Sequence, residues 1–442
     1  MTLTDYISNI HADRLAIITN NGGRLTYGEL CQRVSQQAKE LQRGVLQFCL
    51  CRNDIDSIVF YLACLQAQAP VVLLDANKDN ETIENLRRIY KPGITHCHSD
   101  LALCLTTSGS TGSPKLVRLT QRNIINNALS IAEYLQIDEN ERPVTMLPMY
   151  YSYGLSIINS HLIKGATILL TDKTYAQREF WTFLREQQAT SMSGVPYTWE
   201  MLRRLRFFRM ELPSVKTMTQ AGGKLNSEIA KEYIDNAAAM GKRFIVMYGQ
   251  TEATARMSYL PWERAQEKYA SIGIAIPGGE FSLADDGELI YIGENVSMGY
   301  AECAEDLMKG DENNGILYTG DMARVDEDGF YYITGRKKRF VKIWGNRCNL
   351  DAVEQIVKQI TKDCAVVGVD DKITVFIVAK DSHPSQEKTE SHPTQEELKK
   401  NILTLLSVKT GLNTKAFEVR QIDAIPVKET GKIDYQTLQQ WI

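Results

Sequence analysis

The sequence predicts an α/β protein: a large N-terminal domain of α/β subdomains with a small β-region, followed by a small α+β domain. Three observations carry this. Helical and strand signals alternate for most of the length. After about Ala275 the texture changes to short, turn-bounded strand candidates. Beyond Arg336, a helix, two strands and a long helix suffice for a domain of about a hundred residues. The boundaries are therefore 1–335 and 336–442. A length of 442 residues also favours more than one domain.

The elements follow in order. Thr26 and Glu29 have the spacing of a capping box, which starts an amphipathic helix running to Leu41. Ile58 to Gln66 is a second helix, followed by the strand Val71-Val72-Leu73-Leu74. Leu101 to Leu105 is a buried strand that runs into a Ser/Thr/Gly loop. Thr120 caps the helix Gln121 to Leu135, whose Ile124, Ile125, Ala128, Leu129, Ala132 and Leu135 keep helical spacing. Strand–helix units follow at Thr167–Leu170 with Gln177–Gln188, and at Val215–Thr219 with Asn226–Met240. Phe244 to Met247 is another buried strand. Glu288–Ile292, Tyr331–Thr334 and Phe340–Ile343 are the short strands. The last domain holds a helix at Leu350–Ile360, strands at Ala365–Val369 and Thr374–Ala379, and a helix at Glu396–Thr410. Asp381 to Gln395, polar and rich in Ser, Glu and Pro, reads as an exposed loop.

Composition narrows the function classes. Apolar residues make up 43% and charged residues 24%, as in a soluble globular chain. A net charge of -4 gives no electrostatic footprint for nucleic acid or an anionic membrane. No run approaches the roughly 20 apolar residues of a membrane span. The N-terminus lacks a signal pattern, so a cytoplasmic location is expected. Nine scattered cysteines read as reduced thiols. His96-Cys97-His98 lacks a matching partner cluster and does not read as a metal site.

The most informative segment is Thr106-Thr107-Ser108-Gly109-Ser110-Thr111-Gly112-Ser113-Pro114-Lys115. Glycines let the backbone approach an anion, hydroxyls donate hydrogen bonds, and the lysine adds a charge. The composition suits polyphosphate; an ordinary surface loop is the alternative. It is not the common P-loop, because Lys115 follows Pro114 and precedes Leu116.

This loop closely resembles the signature of the adenylate-forming superfamily, which includes acyl-CoA synthetases, adenylation domains and luciferase. Further motifs of that family occur in its order. They are Tyr248-Gly249-Gln250-Thr251-Glu252, Thr319-Gly320-Asp321 with its aromatic lead at Tyr318, Gly335-Arg336 continuing to Lys342, Gly345 and Arg347, and Pro426 to Lys432. Five ordered motifs cover the chain from about residue 105 to the end.

The resemblance implies an ATP-dependent carboxylate–thiol ligase. Such an enzyme forms an acyl-AMP and then passes the acyl group to CoA or to the phosphopantetheine of a carrier protein. It implies that Thr107, Ser108, Gly109, Ser110, Thr111, Gly112 and Lys115 grip the β- and γ-phosphates, that Thr251 bonds the α-phosphate, and that Glu252 holds Mg²⁺. Tyr248 would lie against adenine, in the Tyr248-Gly249-Gln250 segment, and Asp321 would accept the ribose hydroxyls with Arg336 near. Lys432 would bridge the carboxylate and the phosphate. The small domain would be mobile, with its hinge at Arg336-Lys337-Lys338 and with Gly345 leaving room for a pantetheine arm.

Leu147 to Leu155 resembles the acyl-CoA synthetase segment. It puts Tyr151 and Gly154 at a small carboxylic acid, and it lacks the Asp that holds an α-amino group. Val195 and Ala221 would form further walls, and Gly222 and Gly223 would border the nucleotide; core packing is the alternative for each. The chain is short for the family between Asp75 and Leu101. Two other readings stay open: a stand-alone enzyme loading a carrier protein, and an inactive nucleotide-binding module.

Overall fold

The computed structural model describes residues 2–93, 97–106, 115–378, 395–427 and 433–442. By its contacts the chain forms two compact units. The first holds residues 1–282, 290–319 and 325–332. The second holds residues 283–289, 320–324 and 333–442.

The first unit is built on two sheets. The larger has nine strands in the order Ile274–Ala275, Ser258–Tyr259, Arg243–Tyr248, Thr217–Gln220, Ser191–Gly194, Pro143–Thr145, Ile168–Leu170, Leu15–Thr19, Arg24–Thr26. Arg243–Tyr248, Thr217–Gln220 and Ser191–Gly194 run parallel in close register, with Gln220 opposite both Val246 and Gly194. Their carboxyl ends are thus level, which in an open α/β sheet is where ligands bind. The second sheet has the order Tyr300–Ala301, Leu116–Thr120, Leu101–Thr106, Val71–Asp75, Gln47–Cys51. Its strands Leu101–Thr106 and Val71–Asp75 are apolar up to their last residues, Thr106 and Asp75, because both faces are covered.

Local signals set several helix starts. Thr26 caps Tyr27–Ala38 in a reciprocal box with Glu29, and Thr120 does the same for Gln121–Tyr134 with Asn123. Asn226 caps Ser227–Ala239. The stretch between Asp75 and Leu101 still holds a helix, Asn80–Tyr90, capped by Asp79. Its buried Ile83, Leu86 and Tyr90 face the core, and the Tyr90 hydroxyl donates to Ala301 O at 2.7 Å. The helix predicted at Leu350–Ile360 ends at Val357, where the chain tightens into a turn with Ile360 N bonded to Val357 O.

In the second unit, Cys364–Val369 pairs antiparallel with Lys372–Val378, and Phe417–Ile422 adds in parallel. Helices Leu350–Val357 and Gln395–Thr410 supply Val353, Val357, Ile402 and Leu406 to its core. Of the predicted loop Asp381–Gln395, only Gln395 is described, and it already begins the helix.

Candidate nucleotide and acyl site

The carboxyl end of Arg243–Tyr248 delivers Tyr248 to Glu252. Gly249 is required there: a Cβ would lie 1.8 Å from Ala255 O and 2.9 Å from Arg256 Cα, both backbone atoms. Gln250 Nε2 donates to the Tyr248 hydroxyl at 3.3 Å and to Thr319 O at 2.9 Å. Thr251–Ala253 is one 3₁₀ turn, and Thr254 leaves it with φ +65°. The Thr254 hydroxyl donates to Asn295 O at 2.7 Å and holds this strained residue. Thr251 Oγ1 is 3.3 Å from Ser152 Oγ, so the motif touches the start of helix Ser152–Leu162.

Glu252 is fixed by a residue that the sequence reading missed. Tyr300 donates its hydroxyl to Glu252 Oε1 at 2.7 Å. Partial burial, and after it the Glu252 charge, push the Tyr300 hydroxyl above its usual range, so it stays protonated and donates. Strand pairing explains the arrangement. Tyr300 lies opposite Val117 and Ala301 opposite Leu116, so the next pair outward is Lys115 with Glu302. Lys115 Nζ is 2.5 Å from Glu302 Oε1 and 5.8 Å from the centre of the Tyr300 ring. The lysine that closes the phosphate loop and the acid of the second motif therefore meet around one tyrosine.

Arg118 anchors this assembly from inside. Its side chain is fully buried and donates to Tyr300 O at 3.2 Å, Met298 O at 2.9 Å, Gly310 O at 3.3 Å, Lys309 O and Glu312 Oε2 at 2.6 Å. One signal could have found it: an arginine inside the apolar strand Leu116-Val117-Arg118-Leu119 needs acceptors in the core.

Glu252 fits a Mg²⁺ ligand. Mg²⁺ takes hard oxygens and is commonly held by one or two carboxylates plus phosphates and waters. Among the described residues, no group of three or more His, Cys, Asp and Glu could hold a metal by itself. The chain would supply one carboxylate and the nucleotide the rest.

The acyl-side residues divide. Ala221 is fully buried and shares a core cluster with Leu147, Tyr153, Ile157, Ile245 and Met247, against which Tyr151 and Val195 pack. Gly222 has φ +82°, and a Cβ there would sit 2.4 Å from the Tyr151 hydroxyl and 3.2 Å from Val195 Cγ1. Tyr151, Val195 and Gly222 thus converge, and Gly223 lies against Pro196. Gly154 does not join them. Its missing side chain lets helix Ser152–Leu162 seat on the preceding turn, where a Cβ would come within 2.2 Å of Pro148 O.

The remaining residues named from the sequence lie in the second unit or outside the described residues. Asp321 is buried, with Arg336 Nε at 3.6 Å from Oδ1. Gly320, with φ +71°, donates its N–H to Glu288 Oε1 at 2.9 Å. Lys337 bridges Asp286 at 2.8 Å and Glu288 at 2.6 Å, and Arg339 pairs with Asp351 and Glu354. Lys338, between them, is exposed. Gly345, with φ +86°, follows Trp344 with φ +49°; together they turn the hairpin Phe340–Ile343 to Asn346–Asn349. A Cβ on Gly345 would meet nothing within 4 Å. Thr107, Ser108, Gly109, Ser110, Thr111, Gly112 and Lys432 lie outside the described residues.

The chain is similar to several known proteins. A family model described as AMP-binding enzyme matches residues 90–301. A feruloyl-CoA synthase from Amycolatopsis is 27% identical over 289 residues, and the match spans 62% of this chain and 57% of that one. A 2-succinylbenzoate–CoA ligase from Staphylococcus epidermidis is 26% identical over 403 residues, spanning 82% and 83% of the two chains. Among solved structures, the o-succinylbenzoate CoA synthetase of Bacillus subtilis, bound to its acyl-adenylate intermediate, superposes with a TM-score of 0.78. It is 20% identical and covers 99% of this chain and 98% of that one. ATP-bound MatB from Rhodopseudomonas palustris gives 0.80 at 19% identity, covering 100% and 99%. These likenesses establish the α/β architecture with a small C-terminal region.

Proposed function

Because the chain belongs to the adenylate-forming superfamily, we propose that it is an ATP-dependent carboxylate–thiol ligase that makes an acyl-AMP, releases pyrophosphate and transfers the acyl group to CoA. The observation that carries this reading is the meeting of Lys115, Tyr300 and Glu252 in the first unit. Attack of a carboxylate on the α-phosphorus of ATP brings two anions together, so the site must neutralise charge and hold the reactants in line. Lys115 and the Thr107–Gly112 loop receive the β- and γ-phosphates. Glu252 holds Mg²⁺, which supplies charge neutralisation at the phosphates when bound. Thr251 donates to the α-phosphate. Tyr248 covers adenine, with Gly222 and Gly223 leaving space along the nucleotide, and Asp321 accepts the ribose hydroxyls near Arg336. Lys432 delivers the cation that bridges the reacting oxygens.

The acid sits against Tyr151, Val195 and Ala221. Domain 336–442 turns about Lys338 between the two steps, and Gly345 then leaves room for the pantetheine arm. We place the enzyme in the cytoplasm; among the described residues no helix is long and apolar enough to cross a membrane. The test is acid-dependent ATP–pyrophosphate exchange, followed by a comparison of CoA with phosphopantetheinylated carrier proteins as acceptors. Exchange with thioester formation on CoA is expected. Transfer to a carrier alone would replace CoA as the acceptor, and no exchange over a broad acid panel would make the chain a nucleotide-binding module.

A further inference from the structure

Arg339 directly follows the exposed Lys338, yet its side chain is drawn back into the second unit and is only 12% exposed. It pairs with Asp351, and Nη2 lies 3.3 Å from Glu354 Oε2. Its guanidinium carbon sits 3.7 Å from the centre of the Tyr435 ring. A cation is drawn to the face of an aromatic ring, more strongly where water is kept out. The Tyr435 hydroxyl closes the cluster by donating to Glu354, 2.9 Å from Oε2 and 3.0 Å from Oε1. Burial, and after it the Glu354 charge, push that hydroxyl above its usual range, so it stays protonated and donates.

Glu354 is a fixed point for these contacts. Its side chain is 4% exposed, and it also accepts from Lys358 Nζ at 2.8 Å and from the Val366 N–H at 3.1 Å. Helix Leu350–Val357 and strand Cys364–Val369 therefore hold the carboxylate from two sides. Tyr435 in turn stands close in sequence to Lys432. Ile433 pairs with Val427, and the Asp434 N–H donates to Pro426 O at 2.8 Å. These contacts fix both flanks of the segment 428–432. Ile433 and Tyr435 also pack against Ala365, Val367, Phe376 and Leu438.

The residue after the hinge and the flank of Lys432 are thus joined side chain to side chain. On the other side of Lys338, Lys337 is held by Asp286 and Glu288. A cation that bridges reacting oxygens must arrive accurately, because a misplacement of about 1 Å can cost about 100-fold in rate. We propose that Tyr435 is a positioning residue for adenylation. With Arg339 on its ring and Glu354 on its hydroxyl, it ties the flank of Lys432 to the C-terminal side of the hinge, so that the two turn as one body about Lys338. A tyrosine serving the core alone would need neither a guanidinium over its face nor a buried carboxylate at its hydroxyl. This assignment rests on the ligase reading and adds to it a residue that acts through Lys432.

The experiment measures ATP–pyrophosphate exchange, and separately thioester formation from supplied acyl-AMP, on the intact chain and its Tyr435→Leu and Tyr435→Phe variants. Tyr435→Leu should lower kcat for exchange about 10- to 100-fold, with KM for ATP and acid moving less than about threefold, because a displaced Lys432 is missed in the transition state and not in binding. Thioester formation should change far less. Tyr435→Phe, which keeps the ring under Arg339, should recover most of the exchange. Melting curves check folding; should Tyr435→Leu fail to fold, Arg339→Met, which removes the cation and leaves the tyrosine, is read in the same way. Unchanged exchange, or an equal loss of both half-reactions in a folded variant, overturns the role of Tyr435 and leaves the ligase reading standing. No exchange by the wild-type chain over a broad acid panel overturns both.

Discussion

Replacing Tyr300 with Phe isolates one contact in the candidate nucleotide site. The ring beneath Lys115 stays, and only the hydroxyl 2.7 Å from Glu252 Oε1 is lost. A hydrogen bond to a charged group contributes about 1.5–3 kcal/mol. This one is open to solvent, so about 1 kcal/mol is the appropriate figure, or roughly a fivefold change. Without that donor, Glu252 is free to rotate, and Mg²⁺ meets a less ordered ligand. The assay is binding of a fluorescent ATP analogue titrated with Mg²⁺ in the absence of any acid. The half-saturating Mg²⁺ concentration should rise about fivefold while melting barely moves. An unchanged Mg²⁺ requirement would refute the argument that Tyr300 orients the metal ligand.

Three further outcomes are expected. Arg118→Met removes a buried guanidinium with five acceptors, and the loss should approach the lower end of the 3–5 kcal/mol typical of a broken buried pair, because Glu312 is half exposed; urea unfolding reads it. His161 is buried and neutral, and burial lowers its pKa to about 4. The unfolded chain, with an ordinary histidine near 6.5, binds the extra proton first, so stability is full above about pH 6.5 and falls as pH drops toward about 4. The loss reaches roughly 3 kcal/mol, and His161→Gln should flatten that part of a melting-versus-pH curve; an unchanged slope counts against it. Lys338→Pro should spare adenylation and impair transfer to the thiol, measured as separate half-reactions; normal transfer would move the hinge elsewhere.

Much of the fold was legible because its signals are local. Thr26 with Glu29 and Thr120 before Gln121 announce helix starts through side chains three residues apart. The chemistry-bearing motifs were legible for a similar reason: Tyr248 to Glu252 is contiguous, and Gly249 is dictated by a backbone approach within the same turn. What the sequence concealed is nonlocal. Tyr300 reaches Glu252 only because Tyr300–Ala301 pairs with the strand that begins after Lys115. Arg256 becomes a buried cation only because Asn127 and Asn295 converge on its backbone. Gly154 carries a contact of the same kind: it sits in a pocket-like motif, and its missing side chain admits the Pro148 carbonyl behind it.

The central claim is that a lysine carried by the C-terminal domain serves adenylation and not thiol transfer. Lys432→Ala tests it when ATP–pyrophosphate exchange and thioester formation from supplied acyl-AMP are measured on the same preparation. Exchange should fall by orders of magnitude with transfer largely retained; an equal loss of both, in a folded variant, would contradict the account.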